Sequence, residues 1–501
     1  MLSETQFLLQ KLSEGTISTK FGEFKMTVFH DGNVQGISLS LGQLDGAENV
    51  YCRMHSDCIS SHIFSSIECD CQEQMESAQQ MISKEGKGII IFLSQEGRGH
   101  GAAAHVATLD YKKKGISQDA AYEMAGFEGD NRKYDIAAKI IQRMQIRSII
   151  LLTNNKNKRE SLIKNGIKIT STLDTNKIYK LGPGLPTLID NVIKGSIDPL
   201  FQGNRRIFIL GDLNVDYFYS VSNETLTKGA ILEKQTPLVG GTGFNAARAF
   251  RDNGFNPILY GNVGSDNDGS IIFEELNIQA FNSIIAVSKT KQTGNCQIFY
   301  IGNEQKKQRI LVQESDNAND YSVDQINKSL LLCKIGSDDI IFLVGHCFAR
   351  CAKSELKALI TCVQNTGAKL ILDLVPHDLY TKISLEDFLE VIGNKIDVII
   401  SEYQVLRGFL DLADKNGEPS DKERQDYLKL FPTRFLVIRY GEANIGKQDV
   451  CKNLDGGGYE VLDKGILTGY STAPVEEKLG FGDRLTAELL LKYYDQLMSK
   501  Q

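Results

Sequence analysis

The sequence lacks an apolar run long enough to cross a membrane as a helix. Its long apolar runs, such as GIIIFL at residues 88–93 and SIILL at residues 148–152, have the length of strands, whereas a membrane-spanning helix needs about 20 apolar residues. The start, MLSETQFLLQKLSEG, has no basic region followed by an apolar core. We therefore expect neither a transmembrane segment nor a secretory signal.

The chain also lacks an excess of positive charge and a disulfide framework. Its 56 Lys and Arg stand against 63 Asp and Glu, a net charge of -7 at pH 7. This balance argues against nucleic acid and anionic membranes as partners, although local basic pockets can still bind phosphate. The 10 cysteines show no regular framework spacing, which indicates a reducing compartment. We expect a cytoplasmic protein.

Length and periodicity predict two domains of the α/β class. A chain of 501 residues exceeds what one hydrophobic core usually organises, and we place domains at 1–200 and 205–501. Loose alternation over residues 19–47 predicts an antiparallel sheet at the start of the first domain. Residues 175–203 have the Gly, Pro and Asn content of a linker. After it, RRIFILGDLNVD begins a regular alternation of strands and helices, which predicts a mostly parallel sheet covered by helices on both faces.

Three cysteines, Cys58, Cys69 and Cys71, stand in the pattern C-x10-C-x-C. Such spacing can give a tetrahedral metal three thiolate ligands and leave the fourth position to water, as in catalytic zinc sites. Two other interpretations remain open on spacing alone. The thiols could be small buried apolar residues, or His55 or His62 could complete a structural site.

The surrounding motifs resemble the GTP cyclohydrolase II family. RMHSDC, ECDCQEQM, QEGRGHG, GDNRKYD and LLTNN follow one another in the family's order over residues 19–175. The resemblance implies that Cys58, Cys69 and Cys71 bind catalytic Zn²⁺. It implies Asp130 as proton acceptor and Arg132 as the group acting at the α-phosphate. It also implies a set of nucleotide-binding residues, namely Arg53, Gln95, Glu96, Gly97, Arg98, Thr153 and Lys158.

Two positions depart from this family pattern. The family's catalytic tyrosine is replaced by Leu109, and Tyr111 would point about 200° away from it on a helix. The family segment D-T-x-E-A-N is here SQDAAY, residues 117–122. These changes affect groups around the base, so guanine specificity and complete removal of the formyl group are open. His100 and His105 are expected to be surface or outer-sphere residues.

The second half carries glycine-rich turns and a late G-x-G-D motif. VGGTGFNAARAF follows GDLNVD, and LGFGDRLTAELLL stands near the end. Together they resemble the ribokinase (PfkB) family over residues 205–499. The resemblance implies ATP as phosphoryl donor, Mg²⁺, and an ATP site near Gly441. The implied acceptor-binding residues are Asp216, Gly241 and Asn245. Gly480 and Gly482 would form the anion hole, with Asp483 as catalytic base.

This second resemblance is also incomplete. Phe481 replaces the usual alanine of the anion hole, and SEYQ, with Ser401 and Gln404, replaces the family's N-x-x-E. The main hypothesis is a bifunctional enzyme that opens a nucleotide base ring and phosphorylates a sugar or nucleoside. The alternatives are a different base, pyrimidine or modified purine, or a kinase half reduced to nucleotide sensing or scaffolding. The expected partners are small-molecule nucleotides, nucleosides or sugars, and homodimerisation is left open.

Overall fold

A computed structural model describes most of the chain between residues 9 and 499. The residues outside this description are 67–68, 70, 115, 117, 175–177, 182–188, 190–191, 195–197, 222–236, 304–305, 314–315, 377, 394–395, 412–419, 432, 441–457, 464–465 and 473–480. The chain forms two units. One contains Met1–Lys177 and Leu181–Leu200, and the other contains Ile178–Lys180 and Phe201–Gln501.

The first unit is built on a seven-stranded mixed sheet. Its strands are β1 (Gln10–Thr19), β2 (Gly22–His30), β3 (Gln35–Leu41), β4 (Val50–Ser56), β5 (Gly88–Leu93), β6 (Ile149–Leu152) and β7 (Ile169–Leu173). They lie in the order β1-β2-β3-β5-β4-β6-β7. The first three strands pair antiparallel, as the alternation predicts, while β5, β4, β6 and β7 pair parallel.

Helices follow the strands of this sheet. They are α1 (Ile59–His62), α2 (Cys71–Glu85), α3 (Ala102–Lys113), α4 (Gln118–Met124), α5 (Asp135–Arg143) and α6 (Lys156–Lys164). Two glycines let helices approach the sheet closely. A Cβ at Gly88 of β5 would lie 2.6 Å from Ile82 of α2, and one at Gly36 of β3 would lie 2.9 Å from Ile140 of α5. These isoleucines are fully buried, so the hydrophobic core lies between sheet and helices.

The second unit contains a ten-stranded sheet in the order β21-β20-β19-β18-β17-β16-β9-β12-β13-β8. Its strands are β8 (Ile178–Leu181), β9 (Arg206–Leu210), β12 (Asn256–Gly264), β13 (Asn282–Ser288), β16 (Ile340–Val344), β17 (Lys369–Leu374), β18 (Ile396–Glu402), β19 (Thr433–Tyr440), β20 (Gly458–Asp463) and β21 (Ile466–Thr472). From β13 to β19 the pairing is parallel, which confirms the predicted mostly parallel sheet and the α/β fold class.

A separate four-stranded sheet in this unit has the order β11-β10-β14-β15. Its strands are β10 (Asn214–Val221), β11 (Leu238–Gly240), β14 (Gly294–Asn303) and β15 (Lys306–Gln313). The helices of the unit are α7 (Thr242–Asp252), α8 (Asn267–Gln279), α9 (Val323–Cys333), α10 (His346–Arg350), α11 (Lys353–Gln364), α12 (Leu385–Ile392), α13 (Tyr403–Phe409), α14 (Asp421–Leu430) and α15 (Phe481–Met498).

Two predictions of local structure are wrong. The apolar pattern of RRIFILGDLNVD predicts one strand at the start of the second unit, but the segment is split into β9 and β10, which belong to different sheets. The break falls at Gly211, where a Cβ would lie 2.7 Å from the Gly243 backbone. The predicted linker at 175–203 contains a short strand, β8, at the edge of the ten-stranded sheet.

Candidate functional site

Three cysteine thiols meet just beyond the carboxyl end of β4. Cys58 directly precedes α1, Cys69 lies in the following loop, and Cys71 begins α2. Their Sγ atoms all lie within 4.8 Å of one another, and the Cys58 and Cys69 sulfurs are 3.4 Å apart. Three converging sulfurs are a donor set that suits Zn²⁺. The three cysteines therefore fit the metal that the motif series implies.

The three thiols differ in how readily they lose a proton. Hydrogen bonds with Cys69, Cys71 and Ser60 lower the pKa of Cys58 to about 3, although burial opposes this shift. Hydrogen bonds with Cys58 and Cys69, together with burial, raise the pKa of Cys71 well above its ordinary value. One thiolate is thus stabilised by neighbouring thiols, and a bound cation would be needed to ionise all three.

The two histidines considered as further ligands bind each other instead. His55 of β4 and His62 of α1 approach with their Nε2 atoms 3.0 Å apart. The ring of His55 is also stacked on Phe92, with centroids 6.4 Å apart. Burial, together with the charges of Arg53 and Lys158, lowers the pKa of His55 to about 2. Among the residues that the structure describes, neither histidine belongs to a ligand group with the cysteines.

A different histidine lies beside Cys58. His105 of α3 is 7% exposed, and its Nε2 lies 2.9 Å from Ser60 Oγ. Ser60 Oγ in turn lies 3.5 Å from Cys58 Sγ. On the other side of the ring, His105 Nδ1 lies 3.5 Å from Glu96 Oε1. The other oxygen, Glu96 Oε2, accepts a hydrogen bond of 2.6 Å from the Ile59 N–H. The predicted nucleotide-binding Glu96 thus binds the loop that carries Cys58.

Buried cations form a second part of the site. Arg53 of β4 is 4% exposed and Lys158 of α6 is 7% exposed. Arg53 donates to Leu152 O over 2.8 Å, and Lys158 Nζ donates to Met54 O over 2.9 Å. Burial, with the charges of Arg53 and Arg132, holds the pKa of Lys158 well below its ordinary value. Like charges held this close favour an anionic ligand.

The loop before α5 carries the implied proton acceptor. Arg132 Nε donates to Asp130 Oδ1 over 2.8 Å, and Arg132 Nη2 donates to Asp130 Oδ2 over 2.5 Å. Burial raises the pKa of Asp130, but the hydrogen bond and charge of Arg132 outweigh it, so this pKa is lowered. Gln95 fixes the loop, because its side chain donates to Lys133 O over 2.6 Å and accepts from Lys133 N over 2.8 Å.

Arg98 has partners that the sequence did not reveal. Its backbone lies in the left-handed region at φ 59°, next to Gly97 at φ 58°. Its guanidinium forms an ion pair with Asp119 and lies 5.7 Å from the centroid of the Tyr122 ring. Lys112 Nζ lies 5.5 Å from the same ring. The segment that departs from the family therefore supplies α4, whose Asp119 and Tyr122 hold Arg98.

Thr153 and Leu109 occupy less central positions. Thr153 is 6% exposed, and its Oγ1 accepts a hydrogen bond of 3.2 Å from Asn155 N. Leu109 lies half-buried in α3, one turn after His105. On this helix the buried His105 and Thr108 share one face with Lys112. That helical spacing is the signal that could have pointed to His105 and Lys112 as site residues.

In the second unit, charged residues collect at the carboxyl ends of the parallel strands. The chain crosses from one side of β9 to the other between β13 and β16, and ligands of α/β sheets bind at such switch points. Asp212 follows β9, Asp373 lies in β17, and Arg439 lies in β19. Arg439 makes two hydrogen bonds to Asp373, of 2.7 and 3.0 Å. Its Nε lies 3.7 Å from Glu402 Oε1.

The predicted acceptor residues lie where β10, β11 and α7 meet. Asp216 of β10 is 9% exposed, and a Cβ at Gly240 would collide with its carboxylate. Gly241 has φ 88°, and a Cβ there would collide with Asp212 O. Asn245 lies half-buried in α7, and its N–H donates to Gly241 O over 3.0 Å. Gly240 thus lets the backbone pack against Asp216, and Gly241 lets it pack against Asp212.

The predicted catalytic base lies at the start of α15. Asp483 is half-buried in its first turn, and Gly482 precedes it within the helix. Burial and the charge of Asp373 raise the pKa of Asp483 to about 7, against the opposing effect of Arg439 and Arg248. Ser401 is fully buried and Gln404 is exposed. Gly480 and Gly441 lie outside the described residues.

Comparison with known proteins places the first unit in a family. Residues 10–174 match the family model of GTP cyclohydrolase II. GTP cyclohydrolase-2 of Actinobacillus succinogenes is 31% identical over 170 residues, which are 34% of this chain and 78% of that protein. The chain belongs to the GTP cyclohydrolase II family. The riboflavin biosynthesis protein RibBA of Phocaeicola vulgatus is 34% identical over 168 residues, and this chain spans only 42% of it.

Solved structures similar to this member of the GTP cyclohydrolase II family include kinases. Adenosine kinase of Anopheles gambiae has 16% identity and a TM-score of 0.45, covering 59% of this chain and 94% of that one. Phosphofructokinase-2 of Escherichia coli with fructose-6-phosphate has 17% identity and a TM-score of 0.44, covering 59% and 88%. In the described part of the chain, no helix is long and apolar enough to span a bilayer.

Proposed function

We propose that the first unit is a zinc-dependent hydrolase that opens the base ring of a nucleotide, with GTP as the first candidate. The observation that carries this proposal is the convergence of Cys58, Cys69 and Cys71 within 4.8 Å. Zn²⁺ held by these three sulfurs would supply a Lewis acid and an ionised water at neutral pH.

The cations of the unit are suited to the phosphate groups. Burial lowers the pKa of Lys158 most, and the charges of Arg53 and Arg132 lower it further. The hydroxyl of the buried Tyr134 has no hydrogen-bond partner among the described residues, and its ring centroid lies 6.0 Å from Lys158 Nζ. A triphosphate would offset the like charges and could accept a hydrogen bond from this hydroxyl.

Asp130 and Arg132 would act together on the bound nucleotide. The lowered pKa of Asp130 keeps its carboxylate ionised near neutral pH, which is the form that accepts a proton from an attacking water. The Arg132 guanidinium would exchange its hydrogen bonds with Asp130 for hydrogen bonds with the α-phosphate, because its paired donors match phosphate oxygens. Formate and pyrophosphate would be the small products if GTP is opened completely.

A different base, pyrimidine or modified purine, is a second candidate for the same site. The changed segment over residues 117–122 favours this candidate. Asp119 forms an ion pair with Arg98, and the Tyr122 ring covers one face of the Arg98 guanidinium. Gln95, Glu96, Gly97 and Arg98 bind or shape protein loops, so they would contact the nucleotide only in part.

A nucleotide panel tests the first activity. Full-length protein is incubated with GTP and with pyrimidine and modified purine nucleotides, and products are followed by mass. A product one water heavier than GTP supports the proposal, as does a product of further hydrolysis in which each additional water releases formate or pyrophosphate. Intact GTP beside an opened pyrimidine or modified purine nucleotide would favour the second candidate.

We propose that the second unit is an ATP- and Mg²⁺-dependent kinase of a sugar or nucleoside. Asp216, Gly241 and Asn245 would bind the acceptor, Gly480 and Gly482 would form the anion hole, and Asp483 would deprotonate the acceptor hydroxyl. The observation that supports this is the position of Asp483, half-buried in the first turn of α15. Burial there, with the charge of Asp373, raises the pKa of Asp483 to about 7, which suits a general base at neutral pH.

Nucleotide sensing or scaffolding is the alternative for this unit. It is favoured by the buried Ser401, which puts a hydroxyl where a kinase of the implied family has an amide for the metal network. Incubating the protein with ATP, Mg²⁺ and a panel of sugars and nucleosides separates the two. Phosphorylated product supports a bifunctional enzyme, and ATP binding without transfer to any acceptor supports sensing.

A further inference from the structure

The structure contains a row of hydrogen-bonding groups that ends on the metal-site cysteine Cys58. Its members are Glu96, His105 and Ser60, and successive polar atoms lie 3.5, 2.9 and 3.5 Å apart up to the Cys58 sulfur. We call this row the Glu96–His105–Ser60 chain. The three residues come from different segments, namely a 3₁₀ turn at Glu96–Gly99, α3 and α1.

His105 Nδ1 lies at ion-pair distance from the Glu96 carboxylate, 3.5 Å. His105 Nε2 shares a hydrogen bond with Ser60 Oγ, and Ser60 Oγ shares the next one with Cys58 Sγ. When His105 Nε2 donates to Ser60 Oγ, the Ser60 hydroxyl donates to the Cys58 sulfur. A donor to a thiolate stabilises its charge and fixes its orientation, which is how outer partners tune metal ligands.

The Glu96–His105–Ser60 chain also holds the loop that carries Cys58 in place. Glu96 Oε2 binds the N–H of Ile59, the residue next to Cys58, over 2.6 Å. Glu96 therefore holds the Cys58 loop twice, once through this backbone bond and once through His105 and Ser60. His105 itself is 7% exposed, so its ring has little freedom to leave this position.

We propose that His105 is a positioning residue for the metal site, acting through Ser60 on the Cys58 sulfur without binding the metal itself. This rests on the proposed zinc site. Because Cys58, Glu96 and His105 also offer ligand atoms within 4.8 Å of one another, direct ligation by His105 is the competing arrangement that the test must separate.

The test uses full-length protein and the variants His105→Gln, Ser60→Ala and the double variant. His100→Gln is the matched control, since His100 Nε2 lies 3.1 Å from Glu128 O, away from the sulfurs. Zinc affinity is measured by competition with a chromophoric chelator, and Co²⁺-loaded protein gives the thiolate-to-metal absorption band. Circular dichroism confirms that each variant is folded.

We expect His105→Gln and Ser60→Ala each to weaken zinc binding by about 10–100-fold and to shift the Co²⁺ band. The double variant should be little worse than either single one, because both act through one chain. Ser60→Thr keeps a hydroxyl at this position and should therefore retain wild-type zinc affinity. His100→Gln should also leave zinc affinity unchanged.

Two results would overturn the inference. If both single variants bind zinc with wild-type affinity and show an unshifted Co²⁺ band, the Glu96–His105–Ser60 chain does not act on Cys58. X-ray absorption that finds an imidazole nitrogen on the wild-type metal, lost in His105→Gln, would make His105 a ligand. These results differ from a failure of the proposed metal site, which would appear as wild-type protein that binds no zinc at all.

Discussion

At the scale of single residues, we predict that Leu109 limits how far the proposed ring-opening reaction proceeds. It lies half-buried in α3, one turn after His105, at the position where the related family has a tyrosine. A leucine side chain can neither donate nor accept a hydrogen bond there. The proton acceptance that we propose for Asp130 does not require that hydroxyl, so we expect ring opening and formyl removal to differ in their dependence on residue 109.

We predict that Leu109→Tyr raises formate release from GTP, while the opened, formylated product dominates in unmodified protein. Leu109→Phe is the matched control, since it adds the ring without the hydroxyl and should leave formate release low. Formate is measured enzymatically beside the mass of the nucleotide product. Stoichiometric formate from unmodified protein, at a rate unaffected by Leu109→Tyr, would contradict the prediction.

Asp483 gives the second unit a predicted dependence on pH. Burial and Asp373 raise its pKa from 3.8 to about 7, and a general base works only when deprotonated. Phosphoryl transfer should therefore rise with pH through about 7. In the folded protein this carboxyl holds its proton more tightly than in the unfolded chain, so its contribution to stability falls as pH rises from 3.8 toward 7.

Replacing Asp483 tests both consequences. Asp483→Asn should lower transfer by about 10²–10⁴-fold, leave ATP binding nearly unchanged, and reduce the loss of stability with rising pH. The exposed Asp495 of the same helix gives the control Asp495→Asn, which should change neither quantity. A pH–rate profile that stays flat between pH 5 and 8 would refute the assignment.

The residue types of the site were predictable, but several of their partners were not. The spacing of Cys58, Cys69 and Cys71 is compatible with a metal site, and the motifs around the three cysteines favour that interpretation without reference to the fold. His105 could not be chosen from its neighbours in sequence, because its partners Ser60 and Glu96 reach it only after α1 and α3 pack together. The pairing of Arg98 with Asp119 likewise depends on where α4 lies.

At the scale of structural elements, the glycine turn before α7 shapes the proposed acceptor site. Gly241 combines φ 88° with a position where a Cβ would collide with Asp212 O. Gly254, which follows α7, has φ 80° and no atom within 4 Å of such a Cβ. The two positions share the left-handed backbone and differ in the space around it.

We predict that Gly241→Ala destabilises the protein more than Gly254→Ala and also raises KM for the acceptor. The left-handed conformation costs alanine about 1 kcal/mol in both variants, and the collision adds to this only at Gly241. Urea unfolding gives the stability and steady-state kinetics give KM. Equal destabilisation, with unchanged KM in both variants, would show that close packing at Gly241 is unimportant.

Strands were predictable from the sequence where an isolated apolar run forms one strand, as in β5. Strand limits were not predictable where one apolar run is divided between two sheets. In RRIFILGDLNVD, apolar residues continue on both sides of Gly211, so hydrophobicity does not mark the break between β9 and β10. The close approach of Gly243, which is distant in sequence, sets that break.

At the scale of the whole molecule, two units with different sheets share one chain. The domain limits 1–200 and 205–501 stay predictions, and residues 178–180 group with the second unit. Since each unit has its own proposed chemistry, we expect substitutions in one unit to leave the activity of the other unit intact. Cys69→Ser should abolish ring opening without changing phosphoryl transfer, and Asp483→Asn should do the reverse.

The central claim is that three thiols hold a catalytic zinc ion. The measurement that tests it most directly is metal analysis of full-length protein and of Cys69→Ser, combined with product mass after incubation with GTP and the nucleotide panel. We predict one zinc per chain and a ring-opened nucleotide for unmodified protein, and loss of both in the variant. Ring opening by wild-type protein that contains no zinc, or a fully active Cys69→Ser variant, would contradict the account.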